Sequence, residues 1–446
     1  MKKFLTLSFA TAMVAMTASA QLASTSYAKE FAMSEGMQLQ KATTAINYAP
    51  VAKPAAAHKA PALNDMAGIY ILNSDNFDAT FRASNEFTLS LENGTTKVCD
   101  EDFADTEDFT YNVVLYDFSY TGAKAYGYYY ESDGMIVVPC QTIATNSTYG
   151  RIVLTGVVTN NGTPKTYGFD IALEVKDDGS LELFDNAEAL EEAGFEKGSI
   201  ISGWYSVLPD SEDGGAWNFG FSCEIFKPNA TMNYATTARA LGGTGSGWER
   251  VQKRVAIEDY ESEYVVNNFL GLCPISIEID GENCSMPFAQ QVDDYNYTTY
   301  ANDGNDYGFM RIWGCVIDGN SIGRDYDKEA LKGFVGEEGM EFYKLEWKDA
   351  WEEDGETYEA GYYYIDTDPD YVRYFCVATN AGPEGAYTLG WCCNLSIAFD
   401  SAESEGINEV SNTVKSSANY NLLGQRVLQS KAKGIMVRDG KKFFTK

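Results

Sequence analysis

The chain has a single histidine in 446 residues, His58, and no Cys-x-x-Cys pair. A Ser-His-Asp or Cys-His nucleophile needs an imidazole held within hydrogen-bond reach by folded structure. His58 lies in an Ala- and Pro-rich stretch with little to bury, which excludes that chemistry and histidine-ligated metal sites together. Positive charge is also scarce. Against 65 Asp and Glu stand 33 Lys and Arg, a formal net charge of -32, and a surface of that sign repels phosphate backbones and anionic lipid. Nucleic acid is therefore not an expected partner. No segment after the N-terminus supplies the roughly 20 continuous apolar residues of a membrane helix, so no membrane span is expected. The glycine run Gly242-Gly243-Thr244-Gly245-Ser246-Gly247 lacks the Lys-Ser/Thr of a phosphate loop and reads as a spacer.

What is present begins with an export signal. Lys2 and Lys3 precede an apolar run from Phe4 to Met16 that ends in Ala18-Ser19-Ala20, which predicts a signal peptide over 1–20 and cleavage before Gln21. The mature protein is expected outside the cell or on its outer surface, with the periplasm as the alternative. No cysteine stands beside the cleavage site to carry a lipid anchor. Residues 21–64, rich in Ala, Ser, Thr, Lys and Pro, read as a flexible leader.

From there the pattern has period two. Phe169, Ile171, Leu173 and Val175 alternate with polar residues before Asp177-Asp178-Gly179 and Leu181-Glu182-Leu183; Ile275, Ile277 and Ile279 do the same before Gly281. Glu131-Ser132-Asp133-Gly134 carries similar turn chemistry. Helical spacing is confined to 186–193 and 327–332. The chain reads as all-β.

It also reads as duplicated. Gly215 to Ile225 (GAWNFGFSCEI) returns as Gly385 to Leu395 (GAYTLGWCCNL). Tyr111 to Phe118 then Pro139-Cys140-Gln141 is paralleled by Tyr264 to Phe269 then Pro287 to Gln290, and Tyr149-Gly150 by Tyr307-Gly308. The expectation is two tandem homologous antiparallel β domains, each a sandwich or small barrel, over 65–230 and 248–402. A hydrophilic connector over 227–247 joins them, and a C-terminal β-hairpin tail follows over 403–446. The nine cysteines, an odd number, read mainly as small buried residues, with room for a disulfide involving Cys99 or Cys140.

The tail is basic. Tyr420-Asn421-Leu422-Leu423-Gly424-Gln425-Arg426-Val427 followed by Lys433-Gly434-Ile435-Met436-Val437 and Asp439-Gly440 resembles the C-terminal sorting domains of secreted Bacteroidetes proteins that use type IX secretion. The resemblance covers about 28 residues, with Met436 where Tyr is common, and rests on Asn421, Gly424, Gln425, Val427 and Gly434. It implies an addressing role for the tail and the secretion machinery as its partner.

Chemistry is sparse in the remainder, and no catalytic residue is assigned. Glu352-Glu353-Asp354 would be the carboxylates of a glycan hydrolase. Asp366, Asp368 and Asp370 have a calcium-like spacing without its turn glycine, and Asp293, Asp294, Asp303 and Asp306 bracket an insertion. Calcium is the one cofactor these patterns allow. Aromatic clusters remain as ligand platforms: Tyr128 and Tyr130 in the first copy, Trp347, Trp351, Tyr362 and Tyr364 in the second. The expected role is an exported, non-catalytic binding protein for a glycan or a surface protein. A hydrolase and a structural matrix component are the alternatives.

Overall fold

The computed structural model describes residues 40–41, 62–100, 102–119, 122–177, 179–211, 215–245, 247–298, 304–318, 321–344, 346–348, 350–353, 356–358, 361–363, 372–380 and 387–400, and, in the tail, 419–421, 426–427, 434–438 and 441–445. Residues 1–20, read as a signal peptide, and His58, Gly424 and Gln425 lie outside these residues. The chain divides into a unit spanning Met1–Asp400 and a second, Ser401–Lys446. Among the described residues the first is all-β apart from the short helix Ala187–Glu192, where the sequence shows helical spacing, helical residues at 297–298 and two 3-10 turns.

In the first copy the main sheet path runs through β1 (Gly68–Asp75), β2 (Arg82–Ser90), β3 (Val113–Tyr116), β4 (Lys124–Tyr130), β5 (Met135–Val138), β6 (Gly150–Asn160), β7 (Thr163–Phe169), β8 (Ile171–Val175), β9 (Leu181–Leu183), β10 (Ser199–Val207) and β11 (Ala216–Phe226), with Gln141–Asn146 paired to β6 off that path and Gly94–Cys99 paired with Asp105–Tyr111 as a separate hairpin. The second copy supplies β12 (Ala230–Thr236), β13 (Glu249–Asp259), β14 (Glu263–Phe269), β15 (Cys273–Asp280), β16 (Asn283–Pro287), β17 (Arg311–Asp318), β18 (Ser321–Arg324), β19 (Ala330–Gly336), β20 (Gly339–Phe342), β21 (Tyr374–Ala378) and β22 (Thr388–Phe399). Hydrogen-bonded order in the first sheet is β7-β6-β10-β11-β1-β2-β3-β4-β5-β8-β9, and in the second β18-β17-β21-β22-β12-β13-β14-β15-β16-β19-β20. Each second-copy strand stands eleven places after its counterpart, so the duplication read in the sequence is a duplication of topology.

The copies differ at one seam. In the second, β20 also pairs with β22, Gly339 opposite Ala398, which closes an eight-stranded barrel. A Cβ on Gly339 would sit 2.0 Å from the Ile397 carbonyl oxygen, so this approach needs glycine. In the first copy β9 lies beside β11 without pairing, and the sheet is a curled half-barrel. Barrels, not sandwiches, are the architecture. Each copy encloses its own core: Phe87, Leu115, Ile136, Leu154 and Trp204 in the first, Met232, Phe269, Ile277, Phe375 and Leu395 in the second. In both, the entering strand pairs with the leaving one, Ile71 with Phe226 and Ala230 with Phe399.

Several expectations are corrected. The connector read over 227–247 contains β12, the first strand of the barrel; Ala230, Met232 and Tyr234 point into its core, so the second copy begins at Ala230 rather than after 247. The helix read over 327–332 is replaced by a turn at Asp327 and the start of β19, which is paired on both edges by β16 and β20. Cys284 faces Ile279 across the β15–β16 hairpin. Within the stretch read as a flexible leader, Gln40–Lys41 pairs in parallel with Thr166 and Tyr167 on β7.

A buried polar junction joins the copies. Asn73 on β1 donates its side-chain N–H to the Asn267 carbonyl oxygen on β14 (2.6 Å) and accepts from the Ser84 hydroxyl on β2 (2.6 Å); Ser84 in turn accepts from the Asn268 backbone N–H (3.0 Å). All four residues are essentially inaccessible. Asn267 also donates to Glu258 and Asn268 to the Arg254 carbonyl.

In the tail unit, Gly434–Arg438 and Lys441–Thr445 form the hairpin read from the sequence, extended by Asn419–Asn421, which ends at Asn421, and by Arg426–Val427.

Candidate binding face

Strand β4 has the sequence KAYGYYY, and its period-two alternation decides the fate of each ring. Ala125 and Tyr129 turn into the first core, Gly127 sits between them against Ile136 and Val113, and Tyr126, Tyr128 and Tyr130 point the other way. The Tyr128 and Tyr130 rings meet at 4.8 Å, and Tyr130 is 42% exposed. Tyr126 is met at 4.5 Å by Tyr111. The four phenols form a row with Lys124 paired to Glu92 at one end and exposed Glu131 and Asp133 at the other.

Tyr111 comes from a hairpin, Gly94–Cys99 with Asp105–Tyr111, that the second copy lacks between β13 and β14. Gly94 is directly opposite Tyr111, and a Cβ there would fall 2.4 Å from the phenol oxygen, so the missing side chain makes room for the ring. At the hairpin's tip, Phe103 stacks on Tyr167 (6.0 Å, 6°), and Arg151 donates to the Phe103 carbonyl while pairing with Asp210 at 2.8 Å. That ion pair and the Arg151 backbone N–H hold the Asp210 carboxyl down at about 2. The hairpin thus straps the sheet from Tyr126 to Tyr167.

Beyond the strap a second aromatic run crosses the sheet: Tyr167 to Tyr205 (5.1 Å), Tyr205 to Phe219 (6.4 Å) and Phe219 to Phe221 (5.2 Å), with Phe77 edge-on to the last two. Burial, with the neighbouring Tyr167, pushes the Tyr205 phenol up to about 12. This run is packing.

Of the residues read as platforms, the structure brings Tyr128 and Tyr130 together. Trp347 stands opposite Tyr362 in the ribbon Glu346–Lys348/Gly361–Tyr363, and Trp351 opposite Tyr358 in the adjoining Trp351–Glu353/Glu356–Tyr358. Tyr364 lies outside the described residues, as do Asp303, Asp354, Asp366, Asp368 and Asp370. Asp293 accepts from the Met310 and Tyr295 backbone N–H groups, Asp294 from Asn76 across the junction (3.3 Å), and Asp306 from the Thr298 hydroxyl. Among the described residues no three His, Cys, Asp or Glu side chains converge as a metal site. Sequence reasoning missed Tyr111, since nothing local shows that it lands on Tyr126.

A comparison of the copies isolates the row. Gln141 accepts from the Tyr126 N–H (2.8 Å) and donates to the Tyr126 (2.8 Å) and Pro139 (2.9 Å) carbonyls; Gln290 accepts from the Ser276 N–H (2.8 Å) and donates to the Ser276 and Pro287 carbonyls (both 2.9 Å). The shared contacts fix the alignment, so Tyr126, Tyr128 and Tyr130 correspond to Ser276, Glu278 and Asp280. Comparison with protein-family models, curated proteins and solved structures gave no significant match.

Proposed function

We propose that the chain is an exported, non-catalytic binding protein whose first copy holds a neutral glycan on the row Tyr111, Tyr126, Tyr128 and Tyr130. The observation that carries this reading is the exchange between copies: equivalent outward positions of one strand are three tyrosines in the first and Ser276, Glu278 and Asp280 in the second. A barrel strand has no folding need for exposed rings there, since the second copy closes without them. Phenol rings offer flat apolar faces to the C–H side of a sugar and hydroxyls to its rim. The acidic frame disfavours uronates and sulfated sugars. Export follows from the N-terminal signal, and the tail resembling a type IX sorting domain supplies the address; among the described residues no helix is long and apolar enough to cross a membrane.

A glycan-array screen of the mature chain, repeated with Tyr128→Ala/Tyr130→Ala, tests the reading. The expected outcome is saturable binding to neutral glycans that weakens at least tenfold in the variant. Absence of binding to every glycan, or binding indifferent to both tyrosines, would remove the glycan reading and leave a protein ligand or a structural role.

A further inference from the structure

All nine cysteines are free thiols, and two of them meet where the strap crosses the sheet. Cys99, the last residue of the hairpin's first strand, donates its backbone N–H to the Cys140 carbonyl at 2.8 Å, and Cys99 packs against the small apolar cluster that contains Cys140. Cys140 is buried at 7% exposure among Phe103, Val153 and Val207, whereas Cys99 is half-exposed, with the Asp105 carboxylate at 3.5 Å and the Thr142 hydroxyl at 3.9 Å from its sulfur. Further hydrogen bonds surround them. Cys140 donates its N–H to Asp170, and Thr142 donates to Asp105.

We propose that Cys99 and Cys140 are a redox latch: an intramolecular disulfide between them locks the 94–111 strap onto the first sheet. The oxidant is a small-molecule or protein disulfide, as an oxidising extracytoplasmic compartment provides. Cys99, the reachable sulfur, loses its proton to solvent and attacks the external disulfide, forming a mixed disulfide and expelling one thiolate. Cys140 then displaces the second, so two protein thiols are oxidised, one external disulfide is reduced to two thiols, and no other co-reactant is needed. Cys99 is the stronger acid of the pair, since the neighbouring Cys140 holds its thiol below the usual range, while Cys99 and burial push the Cys140 thiol up.

A built-in control exists. Cys315 and Cys376 also lie in one cluster, but both are fully buried, so no external disulfide reaches them. The latch does not depend on the ligand.

The experiment uses the full mature chain, fully reduced, then held in a glutathione buffer rich in the disulfide form. Peptide mapping should show a 99–140 cross-link, with Cys315 and Cys376 still reduced, reversed by dithiothreitol. Cys99 should react fast with a thiol reagent in the reduced protein and not at all in the oxidised protein. Cys140→Ser should trap glutathione stably on Cys99. The strap of the oxidised form should be cleaved at least tenfold more slowly by added protease than that of the reduced form. Persistent glutathione on Cys99 in the unaltered chain, a cross-link to any other cysteine, or Cys99 and Cys140 both still reduced at an oxidising poise would overturn the proposal. Because the unaltered chain gives the decisive readout, misfolding of the variant would not shield it.

Discussion

Asp293 and Asp294 sit at the edge of the junction between the copies, and burial pushes both carboxyls up to about 7. Unfolded, each would titrate near 4, so between about pH 4 and pH 7 the folded state holds protons that the unfolded state has released. Stability therefore falls as pH rises through that interval and levels off above it. The expected contribution is about 1–3 kcal/mol per group once partial exposure is discounted. Urea unfolding at pH 5 and pH 8 should show it, and Asp294→Asn, which keeps an acceptor for Asn76, should flatten the slope. An unchanged slope in that variant and in Asp293→Asn would assign the pH dependence to the acidic surface at large. At this scale the sequence was partly legible. Strand alternation was enough to group Tyr128 with Tyr130, but Tyr111 and the strap depend on contacts between residues distant in the chain, and the burial of Asp293 and Asp294 comes from a junction that no local pattern announces.

Hairpins carried by Asp-Gly and neighbouring turns were readable because turn and alternation agree locally. The stretch 327–332 misled because its charged first half, Asp327 to Glu329, is a turn and its approach to β19, and only Ala330, Leu331 and Lys332 enter that strand, where pairing on both edges overrides propensity. Strand β12 was hidden for a different reason: its alternation of Ala230, Met232 and Tyr234 is flanked by polar residues that resemble a linker. The two glutamines are the clearest case of a side chain completing an element, each standing in for a missing strand neighbour. Gln141→Ala should leave the Tyr126 N–H and carbonyl unpaired and lower stability by about 1–3 kcal/mol. Gln290→Ala should do the same through Ser276, and thermal melts of both variants check the equivalence. A neutral result in either would mean that water takes over those bonds.

Over the Met1–Asp400 unit, the duplication could be read directly and the closure could not. Both copies share one strand order, yet only the second brings its β20 and β22 together, by a glycine contact between positions almost sixty residues apart. The buried Asn73, Ser84, Asn267 and Asn268 junction predicts that the two copies unfold in one transition, with calorimetric and van't Hoff enthalpies equal. Asn267→Ala removes the acceptor for Asn73 and the donor to Glu258, so it should separate the transition into two, the open first copy melting first; a single sharp transition in that variant would show that the apolar contacts alone couple the halves. The pairing of entering and leaving strands has a mechanical consequence. Tension on the two ends of either copy acts at one end of one strand pair, at Ala230 and Phe399 in the barrel, and opens it bond by bond as a zipper opens, instead of shearing every bond together. A molecule held by its C-terminus in moving fluid would therefore lengthen at low force, each copy parting first at the seam where its chain comes in and goes out.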